Sequence, residues 1–316
     1  ILPDEEKFSV DFIRAVVNLR NYKSEEEVAE IEKACLVTAD MHLAAMHAIR
    51  PGVYEYAVVA AVESVASAHN CALSFPVIAT VNGQTLHNHY HGNPVKKGDL
   101  FLVDAGAETS LCYAGDMSST TPADHRFTSR QADIYRIQTA MHDQSVKDLR
   151  PDVTFESVYD ISVKVMIEGL KGLGLMRGNT DDALASGAYA LFYPHGLGHM
   201  MGLDVHDMEN LGEVYVGYDG RPKSKLFGRA SLRLGRTLEP GFVHTIEPGI
   251  YFIPELIDQW RAENKYSEFL HYEKIETYKD FGGIRNEEDY LITGAGARLL
   301  GKRIPRTVEE VEAFRD

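Results

Sequence analysis

The chain has 316 residues, 44% of them hydrophobic, enough for one large domain or two ordinary ones around a sizeable core. Its formal charge of −15 argues against nucleic acid or an anionic membrane as partner and toward a peptide or small molecule. Cys35, Cys71 and Cys112 lie far apart without CxxC spacing and read as reduced, buried thiols of a cytoplasmic protein, and no run of about 18 apolar residues offers a membrane span.

The start, Ile-Leu-Pro-Asp, has neither a Met nor a signal pattern and reads as the interior of something longer. Ser24 and Glu27 have capping-box spacing, and Val28, Ile31, Cys35, Ala45, Met46 and Ile49 then predict a long amphipathic helix. Arg50-Pro51-Gly52-Val53 ends it, and a second helix is expected from about Tyr54 to Ala68. Strands are predicted over Phe75–Val81 and Leu100–Asp104, with a hairpin return near Tyr113–Thr120.

The second half repeats the plan. Helices are predicted over Gln131–Leu149 and Phe155–Leu170, separated by Arg150-Pro151-Asp152-Val153, one hundred residues after the earlier turn. Gly98 precedes Asp104 by six residues, and Gly241 precedes Glu247 by the same offset. Each acid is followed two residues on by a glycine, Gly106 and Gly249. Together these echoes predict a duplicated α+β unit, with helices outside, an antiparallel sheet inside and a pseudo-twofold axis relating Asp104 to Glu247. The competing expectation is two unrelated α+β halves. Residues 215–236 and 254–280 read as insertions that shape the rim of a cleft.

Five residues, Asp104, Asp116, His199, Glu247 and Glu287, read as one site for two hard divalent cations, an arrangement that activates water at neutral pH. Alternation puts Leu100, Leu102 and Asp104 on one strand face, and a carboxylate ending a buried strand is costly unless paired or metal-bound. A turn near Ser110 would bring Asp116 back opposite Asp104; the alternative is a surface hairpin with two solvated acids. His195-Gly-Leu-Gly-His199 has the HxxxH spacing of a helical zinc site, but Gly196, Gly198 and Gly202 oppose a helix, so a glycine-rich loop or bent strand is expected. One of its imidazoles, His195, His199 or His206, can ligate, while the others donate to substrate or to a developing oxyanion. Thr245 and Glu247 share a strand face, as do Arg285 and Glu287 in a strand over residues 283–287. Arg285 then reads as a contact to ligand or substrate, or else as an ordinary cross-strand ion pair. His87, His89 and His91 form a dense loop before the Asp104 strand, which is either functional or merely exposed.

Val-Asp104-Ala-Gly, Ala-Gly-Asp116, His195-Gly-Leu-Gly-His199, Ile-Glu247-Pro-Gly and Gly-Ile-Arg285-Asn-Glu287 together resemble the pita-bread-fold metallopeptidases, with the aminopeptidase P and prolidase branch as the nearest match. The resemblance covers roughly Ser24 to Thr293. It implies a catalytic domain over residues 24–316, preceded by a linker and the remnant of an N-terminal domain over residues 1–23. It also implies two divalent metal ions, usually Mn2+ with Co2+ or Zn2+ as alternatives, held by Asp104, Asp116, His199, Glu247 and Glu287. Asp116 and Glu287 would bridge or bind bidentately. Glu247 would shuttle protons, His87, His195 and His206 would face the substrate catalytically, and Arg285 would bind it. The Asp104–Asp116 spacing is one residue longer than in the best-known members, which suggests a bulge. Asn286, where an apolar residue is common, is expected to tune packing on the face opposite Glu287.

The activity this implies is an Xaa-Pro aminopeptidase, releasing the first residue from peptides with proline second, in a homo-oligomer (dimer or tetramer). The alternatives are a strict Xaa-Pro dipeptidase (prolidase) and a non-catalytic pita-bread module that binds peptides or proteins. The compact methionine aminopeptidases fit less well, because their form lacks the long insertions.

Overall fold

The computed structural model describes residues 8–316, so the first seven residues of the expected linker lie outside the described residues. Within residues 1–23 the chain forms a helix, α1 (Val10–Asn21), capped by the Ser9 hydroxyl accepting from the Phe12 N–H at 3.2 Å. Its Ile13 and Val17 enter the main core.

The first half runs α2 (Glu25–Ala48), α3 (Glu55–Ala68), β1 (Ala72–Leu73), β2 (Ile78–Thr80), β3 (Leu100–Ala105), β4 (Ala107–Glu108) and β5 (Met117–Pro122). The Ser24–Glu27 capping box is formed as expected. The expected strand over 75–81 is reduced to β2, since Pro76 has no N–H to give a ladder. β3 lies between β2 and β5, all antiparallel. The second half runs α4 (Ser129–Asp148), α5 (Phe155–Gly172), α6 (Thr180–Ser186), α7 (Glu213–Tyr218), β6 (Val243–Ile246) and β7 (Gly249–Phe252). It continues through α8 (Pro254–Ala262), α9 (Tyr272–Ile275), β8 (Gly282–Arg285), β9 (Glu288–Thr293), β10 (Gly296–Leu299) and α10 (Val308–Arg315). β9 lies between β10 and β6, and β7 pairs with β8. In each half a helix pair packs outside the strands: α2 and α3 against β2 to β5, α4 and α5 with α4 lying on β6 to β8.

Backbone geometry bears out the duplication. Gly52 and Asp152, equivalent in the two Arg-Pro turns, both take positive φ, at 93° and 68°. Gly98 and Gly241, six residues before the two acids, do the same at 90° and 96°. The Gly52 and Asp152 N–H groups donate to Val95 and Leu238, whose own N–H groups donate back to Val53 and Val153. Tyr54 bridges to Pro94 as Thr154 bridges to Thr237. A shared chain path with shared turn strain is hard to reach from unrelated halves.

Two details depart from expectation. No bulge interrupts the first hairpin: Ala105 pairs with Met117 and Glu108 with Ala114, so the register is the same on both sides of Asp116. The added residue sits in the tip, where Cys112 has φ 65°. The strand expected over 283–287 ends at Arg285, and the chain then changes partners, from β7 through β8 to β6 and β10 through β9. Glu287 sits at that switch. Asn286 does face away from it: its Oδ1 accepts from the Thr120 N–H at 3.0 Å and the Tyr135 hydroxyl at 3.3 Å, while its amide donates to Gln138 at 2.5 Å. It ties β5, α4 and the switch together, a polar equivalent of the packing expected there.

All three cysteines are free, but only Cys35 is buried; Cys71 is half-buried and Cys112 exposed, a correction to the expectation of buried thiols. Among the described residues no helix is long and apolar enough to cross a membrane.

Candidate metal centre

Each acid arrives by a local rule. Ile78 and Ser118 flank Asp104 on β2 and β5. The residue opposite Asp104 is therefore Ser118, not Asp116 as expected, but Asp116 is two residues from Ser118 and projects from the same face. Glu247 and Glu287 lie one step beyond the last β6–β9 pair, Ile246 with Glu288.

The histidine segment is a glycine-rich extended loop rather than a helix, with one isolated bridge, Met200 to His244 of β6. Residues 197–201 run along β6: the Glu247 N–H donates to Leu197 O at 2.8 Å, that of Thr245 to His199 O at 3.1 Å, and that of Met201 to Val243 O at 3.0 Å. A Cβ on Gly198 would fall 2.1 Å from Thr245 O, so the backbone contact that seats His199 requires glycine. The Thr245 hydroxyl accepts from the His199 N–H at 3.2 Å, a link the sequence reading did not anticipate. His199 Nδ1 lies 3.1 Å from Met200 O, which fixes its proton there and leaves Nε2 as a lone-pair donor.

Donor atoms of Asp116, His199 and Glu287 all lie within 4.8 Å of one another, and all three residues are buried. His199 Nε2 is 3.3 Å from Asp116 Oδ2 and 3.9 Å from Glu247 Oε1. Asp104 shares the cleft but is turned to the Arg285 guanidinium. Burial, then repulsion from Asp104, Asp289 and Glu247, holds the Asp116 carboxyl well above the usual range. Burial and the Asp116 charge do the same to Glu287. Burial also raises Glu247, against the pull of His199 and Arg285. Asp116 Oδ1 is buried without any hydrogen-bond partner. Four crowded carboxylates, one orphaned oxygen and an imidazole presenting a lone pair fit hard divalent cations.

The remaining expected residues line the same cleft of about 440 Å³: His87, His195, His206 and Arg285, together with His89. His91 turns away to Ala79 O. Burial first, then Arg285, pushes His195 down to about 3, and burial with His199 pushes His206 to about 2. Both are neutral at pH 7. Arg285 donates to the Tyr251 hydroxyl at 2.9 Å, and that hydroxyl is 2.8 Å from His195 Nε2, whose Nδ1 is 2.8 Å from Gly196 O. One proton arrangement satisfies the whole chain: Arg285 to Tyr251, Tyr251 to His195, His195 to Gly196. Both nitrogens of His195 are thus engaged, which leaves His87 and His206 as the freer imidazoles.

Four contributors escaped the sequence reading. The Ser118 hydroxyl donates to Glu287 at 2.7 Å and accepts from Arg285 Nε at 2.9 Å. Its place two residues after Asp116 was a usable signal. Tyr251 gave none, because its partner is 56 residues away. Asp289 accepts from the Asp116 N–H at 3.1 Å and from Cys35 Sγ at 3.1 Å. Arg233, from the 215–236 insertion, lines the cleft and pairs with Glu209, which also lies 3.4 Å from His206 Nδ1.

The sequence pattern described as "Metallopeptidase family M24" matches residues 29–294. An Xaa-Pro dipeptidase of Rattus norvegicus is 33% identical over 306 residues, covering 94% of this chain and 61% of the relative. An Xaa-Pro aminopeptidase of Escherichia coli K12 is 33% identical over 310 residues, covering 96% and 62%. Among solved structures, a zinc-substituted E. coli aminopeptidase P in complex with product superposes with TM-score 0.79 at 33% identity, over 96% of this chain and 61% of that one. The duplicated architecture is accordingly the pita-bread fold. This chain spans about three fifths of the length of these relatives.

Proposed function

The chain belongs to metallopeptidase family M24, and from that premise we propose that it is a metal-dependent exopeptidase cleaving the bond between a first residue and a following proline. The observation that carries this is the convergence of Asp104, Asp116, His199, Glu247 and Glu287 on one cleft ringed by His87, His195, His206 and Arg285. The five would hold two divalent cations, manganese first by their oxygen-rich donors. When bound, such a pair polarises a carbonyl and makes water nucleophilic at neutral pH.

The protein's own groups do the rest. Glu247, its carboxyl raised above the usual range by burial, is the group that would pass a proton to the leaving nitrogen. That step matters for a proline amide, whose nitrogen carries no proton of its own. His87 and His206 provide uncharged donors beside the carbonyl. Arg285, braced by Ser118 and Tyr251, supplies fixed positive charge.

Two modes share this chemistry. An aminopeptidase accepts any length beyond the proline, whereas a dipeptidase requires the carboxylate of the proline itself. Arg233 favours the dipeptidase, since it adds a second guanidinium to the cleft wall beside that of Arg285, its Nη1 held by Glu209 and Glu213. The aminopeptidase reading keeps the support of the structural likeness to aminopeptidase P. Arg233→Met is expected to raise KM for Ala-Pro about 10- to 100-fold, as loss of a hydrogen bond to a charged group costs about 1.5–3 kcal/mol. Ala-Pro-amide, lacking the carboxylate, should be unaffected. An unchanged KM for Ala-Pro, or equal turnover of Ala-Pro and Ala-Pro-Ala, would count for the aminopeptidase. The free thiols suit the cytoplasm, which we propose as the compartment.

A further inference from the structure

Glu55 opens α3 and is completely buried. From sequence it is an ordinary first-turn acid, favoured by the helix dipole and expected in solvent. Its pseudo-symmetric equivalent shows what the fold alone asks of this position. The Glu55 N–H donates to Asn93 O as the Phe155 N–H donates to Arg236 O, and Phe155 is an equally buried member of the apolar core. The architecture accepts a hydrocarbon here. A carboxylate in its place is costly to desolvate and needs another explanation.

That explanation is the loop between β2 and β3. One carboxylate oxygen of Glu55 accepts from the Thr80 hydroxyl at 3.0 Å and the Val81 N–H at 2.9 Å, where residues 81–93 leave β2. The other accepts from the Asn93 N–H at 3.0 Å and its side-chain amide at 2.9 Å, where they rejoin the body. Because Thr80 must give its only proton to Glu55, its lone pairs face the loop, and they accept from the Asn82 N–H at 2.9 Å and the Asn88 amide at 3.0 Å. Gly83 meanwhile rests so closely on Gly283 of β8 that a Cβ would lie 2.7 Å from its carbonyl. Leu86, His87 and His89, the three residues the loop gives to the cleft, all lie between these anchors.

We propose that Glu55 is a positioning residue for His87: it pins both ends of residues 81–93, so that the loop presents its imidazole at one place on the cleft wall. This rests on the peptidase reading of the cleft. It explains why one half of a duplicated fold buries an acid where the other buries a phenyl ring: in the first half this carboxylate holds both ends of the return loop.

The test is a double-mutant cycle on the full chain loaded with Mn2+, combined with amide hydrogen exchange. Glu55→Gln keeps the size but turns one acceptor into a donor facing donors. It is expected to lower kcat/KM on Ala-Pro at least 10-fold, with manganese content unchanged. Combined with His87→Ala it should cause no further loss beyond that of His87→Ala alone, because an imidazole already removed cannot be misplaced. Exchange should accelerate at Val81 and Asn93 and stay unchanged in α2 and α4. If Glu55→Gln folds poorly, Asn88→Ala releases the loop without touching the acid, Thr80→Val removes one of the acid's four donors, and both should show the same coupling. Multiplicative losses in the double variants, or unchanged exchange over residues 81–93, would overturn the proposal. Should the wild-type chain cleave no Xaa-Pro peptide, the reading of the cleft fails, while the exchange measurement still judges the tether.

Discussion

Replacing Glu287 by Ala is expected to lower kcat/KM on an Xaa-Pro peptide by about 10⁴-fold, the scale seen when a group indispensable to chemistry is removed. Glu287 occupies the switch where β8 gives way to β9, and both its backbone and its side chain engage Ser118. Its carboxylate shares one small volume with Asp116 and His199. Metal analysis after Mn2+ incubation should fall from two ions per chain to one or none. The metal-free variant should melt no lower than the metal-free parent, since a carboxyl held far above its usual range by burial and repulsion destabilises the empty site. Near-parental turnover with two bound ions would show that the ligand set is wrong.

Withdrawing the metal should reverse the slope of stability against pH. Asp116, Glu247 and Glu287 have folded-state pKa values above their unfolded ones. Their favourable contribution is complete below the unfolded carboxyl range, about 4, and is lost as pH rises through the raised values. The metal-free chain therefore loses stability from these groups as pH climbs. Cations bind the deprotonated set, so their stabilisation grows over the same interval. His195, His206 and His244 act oppositely: depressed by burial, they lose stability as pH falls below about 6.5. They do so with or without metal and largely cancel in the difference. The melting-temperature gap between Mn-loaded and chelator-treated protein should widen from pH 5 to pH 8. At a free metal concentration 1,000 times Kd it reaches about 4 kcal/mol, on the order of 10 °C. A gap independent of pH would refute the assignment of these carboxyls to the site.

Much of this centre was legible in sequence because its residues obey short rules. Asp104 and Glu247 each follow a glycine turn at the same offset, and Asp116 shares parity with the residue opposite Asp104. His199 sits among glycines that only a close backbone contact explains, here the approach to Thr245. What the sequence hid depends on distance. Tyr251 matters through His195 and Arg285, and Asp289 through the Asp116 amide, pairings that only the folded chain creates. Glu55 was hidden differently: it shares a helix face with Val58, Val62 and Ala66, but nothing local marks a first-turn acid as a tether for a distant loop. The break at residue 286 also escaped, since alternation continues through Arg285 and Glu287 although the strand changes partners between them.

The trio Asp116, His199 and Glu287 straddles the boundary between the two repeats, with the first residue from one and the others from its counterpart. Cations bound there would act as rivets as well as reagents. To part the halves, a loaded chain would first have to surrender its ions, so the barrier to opening would contain their dissociation. Unfolding of the loaded protein in guanidinium should then proceed no faster than metal release, and excess chelator should bring its rate up to that of the empty chain. Persistence in a harsh environment would be set by how slowly the ions depart, a clock distinct from equilibrium stability.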